Sequence, residues 1–280
     1  AGLLAQEALG ARSHAIFVDT GLLRAGEVGR VRALFDATGL RFEVVEAAER
    51  FLGRLRGVTD PEEKRRRIGT EFVRLFEGEA DRRGVTALVQ GTIAPDWIES
   101  GGQLRDTIKT HHNVGGIPKD ATLTIVEPLR DLYKDEVREL ARHLGVPEPD
   151  RQPFPGPGLA VRVNGEVTPE GVELARLANA IVEEEVDSAV ARGALPRPWQ
   201  YFAVLLPVRT VGVTGDNRVY GQAVSVRIVD SIDAMTATAA AVPLELLRSI
   251  AERITRSAPG RITRVLYDVT DKPPATIEWE

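Results

Sequence analysis

The chain has 280 residues, 43% of them hydrophobic, a formal net charge of -5 and no cysteine. That length is enough for one large core or two ordinary ones and slightly favours two, while no apolar run approaches the roughly 20 residues of a membrane helix and nothing reads as a signal peptide, which leaves the cytoplasm as the default. Disulfides, thiolate zinc sites and cysteine nucleophiles are excluded, and an acidic balance gives no global attraction to nucleic acid, so an anionic ligand needs a local cluster of donors.

In chain order, "AGLLAQEALG" reads as a short helix closed by Gly10, and "SHAIFVDTG" has the continuous apolar run of a strand buried on both faces. "AGEVGRVRALFDATG" is a helix ending at Gly39, and "LRFEVVEA" is the next strand. "TDPEE" opens a long charged helix: Thr59 or Asp60 caps it, Pro61 fits its first turn and Glu62 or Glu63 completes a capping box. "TALVQGT" and "LTIVEPL" are strands, and "DLYKDEVRELARHLG" is an amphipathic helix stopped by Gly145. Alternating strands and helices imply a parallel sheet covered on both faces, with ligands at the carboxyl ends of its strands.

The pattern changes after "RQPFPGPGLAVRV", which sets three prolines and two glycines between Pro153 and Gly158. Beyond it come a long helix over "TPEGVELARLANAIVEEEVDSAVARG", two strands around the turn "TGDN", a helix over "PLELLRSIAERITRS" and a last strand, "RITRVLYDVT". This order suits a small α+β domain. The rigid stretch lies where one architecture gives way to another, and it reads equally as a stiff linker alone or as a loop with little entropy left to lose that also offers backbone amides to a phosphate.

Candidate chemistry sits in loops. In "QGTIAPDWIESGG", Gly91 lets a ligand approach the backbone, and Asp96 and Glu99 place two carboxylates on one short segment, which suits a hydrated Mg2+ and equally a solvated turn. "IKTHHNVGG" offers Lys109, His111 and His112; adjacent side chains diverge and no third ligand is evident, so capping or hydrogen bonding is preferred to a metal role. Lys134 and Asp135 begin a helix near a strand's carboxyl end. "KRRRIG" lies in a glutamate-rich helix and reads as a solvated face rather than a nucleic-acid contact. The C-terminal "DKPPATIEWE" has too few small polar residues for a disordered tail, and is expected to pack and contribute to a site.

Seven segments in order, "FVDTGLLR", "QGTIAPDWIES", "IKTHHNVGG", "EPLRDLYKDEVRELARHLG", "RQPFPGPGLAVRV", "LPVRTVGVTGD" and "KPPATIEWE", resemble GMP synthases over nearly the whole chain. The resemblance implies an α/β fold: a Rossmann-like parallel sheet of the ATP pyrophosphatase (adenine nucleotide alpha hydrolase-like) type over 1–155, then a smaller α+β domain over 156–280 for dimerisation and xanthylate binding. It implies amination of xanthosine 5'-monophosphate (XMP) to GMP through an adenylyl intermediate, with ATP and Mg2+, and ammonia from a glutaminase domain or subunit not in this chain. No nucleic acid or membrane partner is implied.

By motif match, Phe17, Val18, Asp19, Gly21, Gly91 and Thr92 lie against ATP. Asp96 and Glu99 belong to a lid, with Asp96 the better Mg2+ contact, and Lys109, Lys134 and Asp135 serve phosphate binding and adenylation. Arg151, Gly156, Pro157, Gly158, Gln200, Arg264, Lys272, Thr276, Ile277 and Glu278 match segments that hold the xanthylate. Two departures stand out. The family's serine-glycine-glycine-valine-aspartate-serine loop and the strand before it have no counterpart, which implies that the chain lacks its true beginning and that alone it is inactive. Gln152 stands where many members carry histidine. The alternatives are a noncatalytic nucleotide-binding or dimerisation subunit, and a related ATP pyrophosphatase acting on tRNA, for which a basic surface or an RNA-binding appendage would be expected.

Overall fold

A computed structural model describes residues 1–40, 42–94, 123–146, 151–232 and 234–280. The chain divides into two compact units: residues 1–21, 26–54 and 65–151 form the first, and residues 22–25, 55–64 and 152–280 form the second. Among the described residues no helix is long and apolar enough to cross a membrane.

The first unit alternates strand and helix as the periodicity predicts: α1 (Gly2–Leu9), β1 (Ala15–Asp19), α2 (Glu27–Thr38), β2 (Phe42–Glu46), α3 (Ala48–Leu55), α4 (Pro61–Arg83), β3 (Ala87–Val89), β4 (Thr124–Val126) and α5 (Lys134–His143). Strands β1 and β2 pair in parallel from Ala15↔Phe42 to Asp19↔Glu46, and β3 and β4 from Ala87↔Thr124 to Val89↔Val126. Asp60 Oδ1 accepts the Glu63 amide at 2.8 Å ahead of α4, so of the two proposed caps it is Asp60 that acts. The sequence pattern gives no sign of α3, which buries Phe51 and Leu55 completely.

The apolar strands of this unit are less buried than a parallel sheet covered on both faces requires. Ala15, Ile16 and Phe17 are only half-buried, Ala87 and Val126 are exposed, and α1, α2 and α5 contain no buried residue. A cleft of about 1060 Å³ accounts for this: it is lined by Ala15 and Ile16 of β1, by Ala87, Leu88 and Val89 of β3, and by apolar side chains of the surrounding helices.

The second unit is tightly packed. Helix α6 (Pro169–Ala191), capped by Thr168 Oγ1 accepting the Gly171 amide at 3.0 Å, buries Val172, Ala175, Ala178, Val182 and Val186. Strands β5 (Gln200–Thr214) and β6 (Asn217–Asp230) form an antiparallel hairpin whose turn falls on "TGDN". The two-residue β7 (Thr238–Ala239) and the parallel β8 (Ile262–Tyr267) both pair with β6, so this sheet has four strands where the sequence pattern predicts three. Helix α7 (Leu244–Ser257) buries Leu246, Ile250 and Ile254 at helical spacing. Phe202, Val204, Val229, Ala237 and Ile277 form one core cluster, so the C-terminal segment packs as its composition predicts.

Candidate functional site

The nucleotide residues expected from the first half lie at strand carboxyl ends. Beyond β1, Asp19 Oδ1 accepts the Gly21 amide at 2.8 Å and the Asp19 carbonyl accepts the Ala47 amide at 2.8 Å. Gly21 has φ +72 and a Cβ there would stand 2.8 Å from the Ala48 Cβ, so packing alone demands glycine. Gly91, beyond β3, is different: among the described residues an added Cβ would meet only the Ala1 Cβ, at 4.0 Å, and the residue is exposed, which leaves room there for a ligand over its backbone. Thr92 Oγ1 donates to Glu127 Oε1 at 2.7 Å, tying the ends of β3 and β4. Beside it the Gln90 Oε1 is buried with no donor among the described residues, the condition of an acceptor that a ligand N–H completes. Lys134 and Asp135 open α5 as expected. Asp96, Glu99, Lys109, His111 and His112 lie outside the described residues, and the described ones contain no cluster of three His, Cys, Asp or Glu able to hold a metal.

The proline-glycine loop is built differently from its sequence-based expectation. Gly158 has φ +65, and a Cβ there would lie 2.5 Å from the Leu22 carbonyl oxygen, so its glycine is a packing requirement. Its amide donates to Pro155 O at 2.9 Å and the Leu159 amide to Leu22 O at 2.7 Å; of the loop's two glycines, only Gly156 is exposed. Leu22 to Arg24, which follow the Phe17 to Gly21 stretch expected against ATP, fasten this loop. Buried Arg24 donates to the Gln152 and Pro153 carbonyls at 3.2 and 3.1 Å and stacks 4.5 Å from the Phe154 ring centroid.

In the second unit Gln200 meets Glu278 of the C-terminal segment, which carries four of the expected xanthylate residues, Lys272, Thr276, Ile277 and Glu278. Gln200 Nε2 donates to Glu278 Oε1 at 3.0 Å, Thr276 Oγ1 to the Glu278 carbonyl, and Ile277 is in the core. Lys272 Nζ donates to Ala234 O at 2.8 Å, which uses one of its three hydrogens. Arg264 is exposed on β8 and makes no ion pair among the described residues, and Arg151, in the first unit, is held by a bidentate pair with Glu27 at 2.8 and 2.7 Å.

Three buried cations that sequence reasoning missed strap this segment down. Arg227 donates from Nε to Ile277 O (2.9 Å), from Nη2 to Thr276 O (2.9 Å) and from Nη1 to Thr270 O (2.8 Å) and Asp268 Oδ2 (2.9 Å). Arg162 binds Glu278. Lys64 pairs with Glu280 and donates to Val163 O at 2.8 Å. Lys64 is fully buried, so the solvated-face reading of "KRRRIG" fails at its first residue, and desolvation lowers its amine below the usual lysine range despite Glu280 and Asp60.

Residues 187–279 match the family described as GMP synthase C terminal domain. One subunit of the glutamine-hydrolyzing GMP synthase of Thermoplasma acidophilum is 57% identical over 278 residues, covering 99% of this chain and 88% of the relative. The corresponding subunit from Pyrococcus horikoshii is 58% identical over 283 residues, 100% of this chain and 89% of the relative. This chain belongs to the GMP synthase family. A glutamine-hydrolyzing GMP synthase of Aeropyrum pernix, 54% identical over all of this chain, is covered over only 54% of its own length.

Within this GMP synthase family member, the departure at Gln152 has a physical account. Its Nε2 donates to Glu183 Oε1 at 3.1 Å and its Oε1 accepts the Tyr201 amide at 3.0 Å, so a neutral carboxamide supplies one donor and one acceptor at a fixed spacing.

Proposed function

We propose that this chain is the ATP-dependent amination subunit of a GMP synthase. The observation that carries the reading is the whole-chain likeness to single subunits of glutamine-hydrolyzing GMP synthases, and the Gln200–Glu278 contact inside the matched C-terminal region fits it. In the reaction the C2 oxygen of XMP attacks the α-phosphorus of ATP and pyrophosphate leaves; ammonia then attacks C2, AMP departs with that oxygen, and a proton is released. The first unit is the ATP pyrophosphatase part. Phe17 to Gly21, Gly91 and Thr92 border the adenine nucleotide, and Lys109, Lys134 and Asp135 serve its phosphates and the adenylation step. Bound Mg2+ would neutralise triphosphate charge; Asp96 is the residue proposed to hold it, with Glu99 three positions on in the sequence.

The second unit is the xanthylate part. Lys272 keeps two N–H donors for the phosphate, and Glu278 accepts a ring N–H of the base. Ammonia comes from a separate glutaminase subunit, in keeping with relatives that are each one subunit of a glutamine-hydrolyzing enzyme, and the setting is cytoplasmic. Calorimetric titration of this chain with XMP is expected to give one site per chain, and Lys272→Ala to weaken it about 10-fold, the scale of one hydrogen bond to a charged group. Absence of XMP binding, or an unchanged Lys272→Ala, overturns the assignment.

The second unit is also the proposed homodimer interface. Val208, Val211, Val213 and Tyr220 stand exposed along the outer half of the β5–β6 hairpin, an apolar surface that a small unit does not cover alone. Sedimentation at micromolar concentration is expected to give a dimer, and a monomer counts against this interface.

A further inference from the structure

We propose that Arg162 is a positioning residue for base recognition: its guanidinium aims the Glu278 carboxylate at a ring N–H of the 2-oxopurine. The inference rests on the reading that Glu278 belongs to the xanthylate site. Arg162 is 1% exposed, whereas the Glu278 side chain is 18% exposed, so the carboxylate is the open end of a buried device. Nη2 donates to Glu278 Oε1 at 2.9 Å and Nε to Oε2 at 3.3 Å, which fixes the plane of the carboxylate as well as its place.

The guanidinium is itself immobilised. Nη1 donates to Asn179 Oδ1 at 2.9 Å, and the planar group lies 5.0 Å from the Phe154 ring centroid and 4.4 Å from that of Phe202. Asn179 in turn has its carboxamide fully used, donating to the Ala175 and Ala203 carbonyls at 2.7 Å each and accepting the Ala203 amide at 3.1 Å. A chain of fixed geometry therefore runs from α6 and β5 through Asn179 and Arg162 to Glu278.

Stability does not explain such a chain, because a buried ion pair is often matched or bettered by apolar residues of the same volume. Placement does. Glu278 Oε1 is loaded by Arg162 Nη2 and by Gln200 Nε2 at 3.0 Å, while among the described residues Oε2 takes only the longer Nε contact. The carboxylate thus keeps its acceptor capacity on Oε2, on the side a ligand N–H can satisfy, and it is oriented before the ligand arrives.

The test is XMP titration of this chain in four forms: parent, Arg162→Lys, Glu278→Gln and the double variant. Arg162→Lys keeps the charge and loses the fork, and is expected to weaken XMP about 10-fold or more, with Glu278→Gln weakening it at least as much. Because Arg162 acts through Glu278, the double variant should bind no worse than Glu278→Gln within about twofold, the non-additivity of residues that share one interaction. Parent-like affinity in Arg162→Lys, or losses that multiply in the double variant, overturns the inference while leaving the xanthylate site standing. Parent-like affinity in Glu278→Gln overturns the site assignment itself, and the inference with it. Should Arg162→Lys not fold, Glu278→Asp at the open end decides: it keeps the charge and shortens the reach, so affinity equal to the parent overturns the role of orientation.

Discussion

Replacing Arg227 by alanine is expected to remove about 3–5 kcal/mol of stability, the cost of breaking a buried charge network by deleting one partner. Arg227 is fully buried on β6 and its guanidinium serves three backbone carbonyls, of Thr270, Thr276 and Ile277, together with the Asp268 carboxylate. Alanine leaves all four acceptors without their donor in a space that water does not freely enter. Asp268 Oδ2 retains the Trp279 Nε1 at 3.0 Å, so its loss is partial, but the carbonyls of the C-terminal segment have no such reserve among the contacts described. Lysine in place of Arg227 keeps the charge with one compact donor head and is expected to fall between alanine and the parent. Urea unfolding followed by tryptophan fluorescence measures the loss, with an unchanged slope marking a change in stability rather than in the denatured state. An Arg227→Ala midpoint equivalent to less than about 1 kcal/mol of loss would show that the segment is held by Ile277 and its core neighbours instead.

What the sequence made legible was local. The apolar run of β1, the cap at Asp60, the stop at Gly39 and the hairpin turn at "TGDN" each depend on residues within a few positions of one another, and the structure places each there. Helix α3 escaped because eight residues between a strand and a capped helix carry too few periods to register, although Phe51 and Leu55 sit four apart. The buried cations escaped for the opposite reason. Lys64 lies 216 residues from Glu280 and Arg162 lies 116 from Glu278, and a basic residue in a charged stretch has the same local signature whether its partner is water or a distant carboxylate. Gln200, Thr276, Ile277 and Glu278 are reached through motif resemblance, and only the three-dimensional packing brings in Arg162 and Asn179 behind them. Gly158 is matched to a ligand by its motif, yet the Leu22 carbonyl is what requires it.

On the proposed reading, a further apolar strand seated in the cleft of the first unit is expected to raise ATP-dependent amination of XMP. Strands β1 and β3 each pair on one side only among the described residues, and both line the same 1060 Å³ cleft. Apart from buried Val18, their apolar side chains are half-buried or exposed where a parallel sheet covered on both faces buries them, and Leu3, Leu4, Leu34, Phe35, Val137 and Leu140 face the same space from the helices. An apolar strand seated there gains backbone partners on both edges and apolar contacts on both faces. The first turn of α1 has no side-chain cap and no acidic residue, so its amides suit a pyrophosphate.

The experiment joins ahead of Ala1 a segment bearing one apolar strand and the family's serine-glycine-glycine-valine-aspartate-serine loop. With XMP, Mg-ATP and ammonium, and glutamine omitted, AMP release is expected to rise at least about 100-fold over the chain without it, the scale of losing one set of preorganised charge-stabilising donors. AMP and GMP should appear in equal amounts, and XMP affinity, proposed to belong to the second unit, should stay as it was. An extended chain that binds XMP and melts at a higher temperature yet releases no AMP would show that the strand is seated but the chemistry is not, leaving a noncatalytic binding subunit. Equal AMP release with and without the segment would show that the cleft needs no further strand for the reaction.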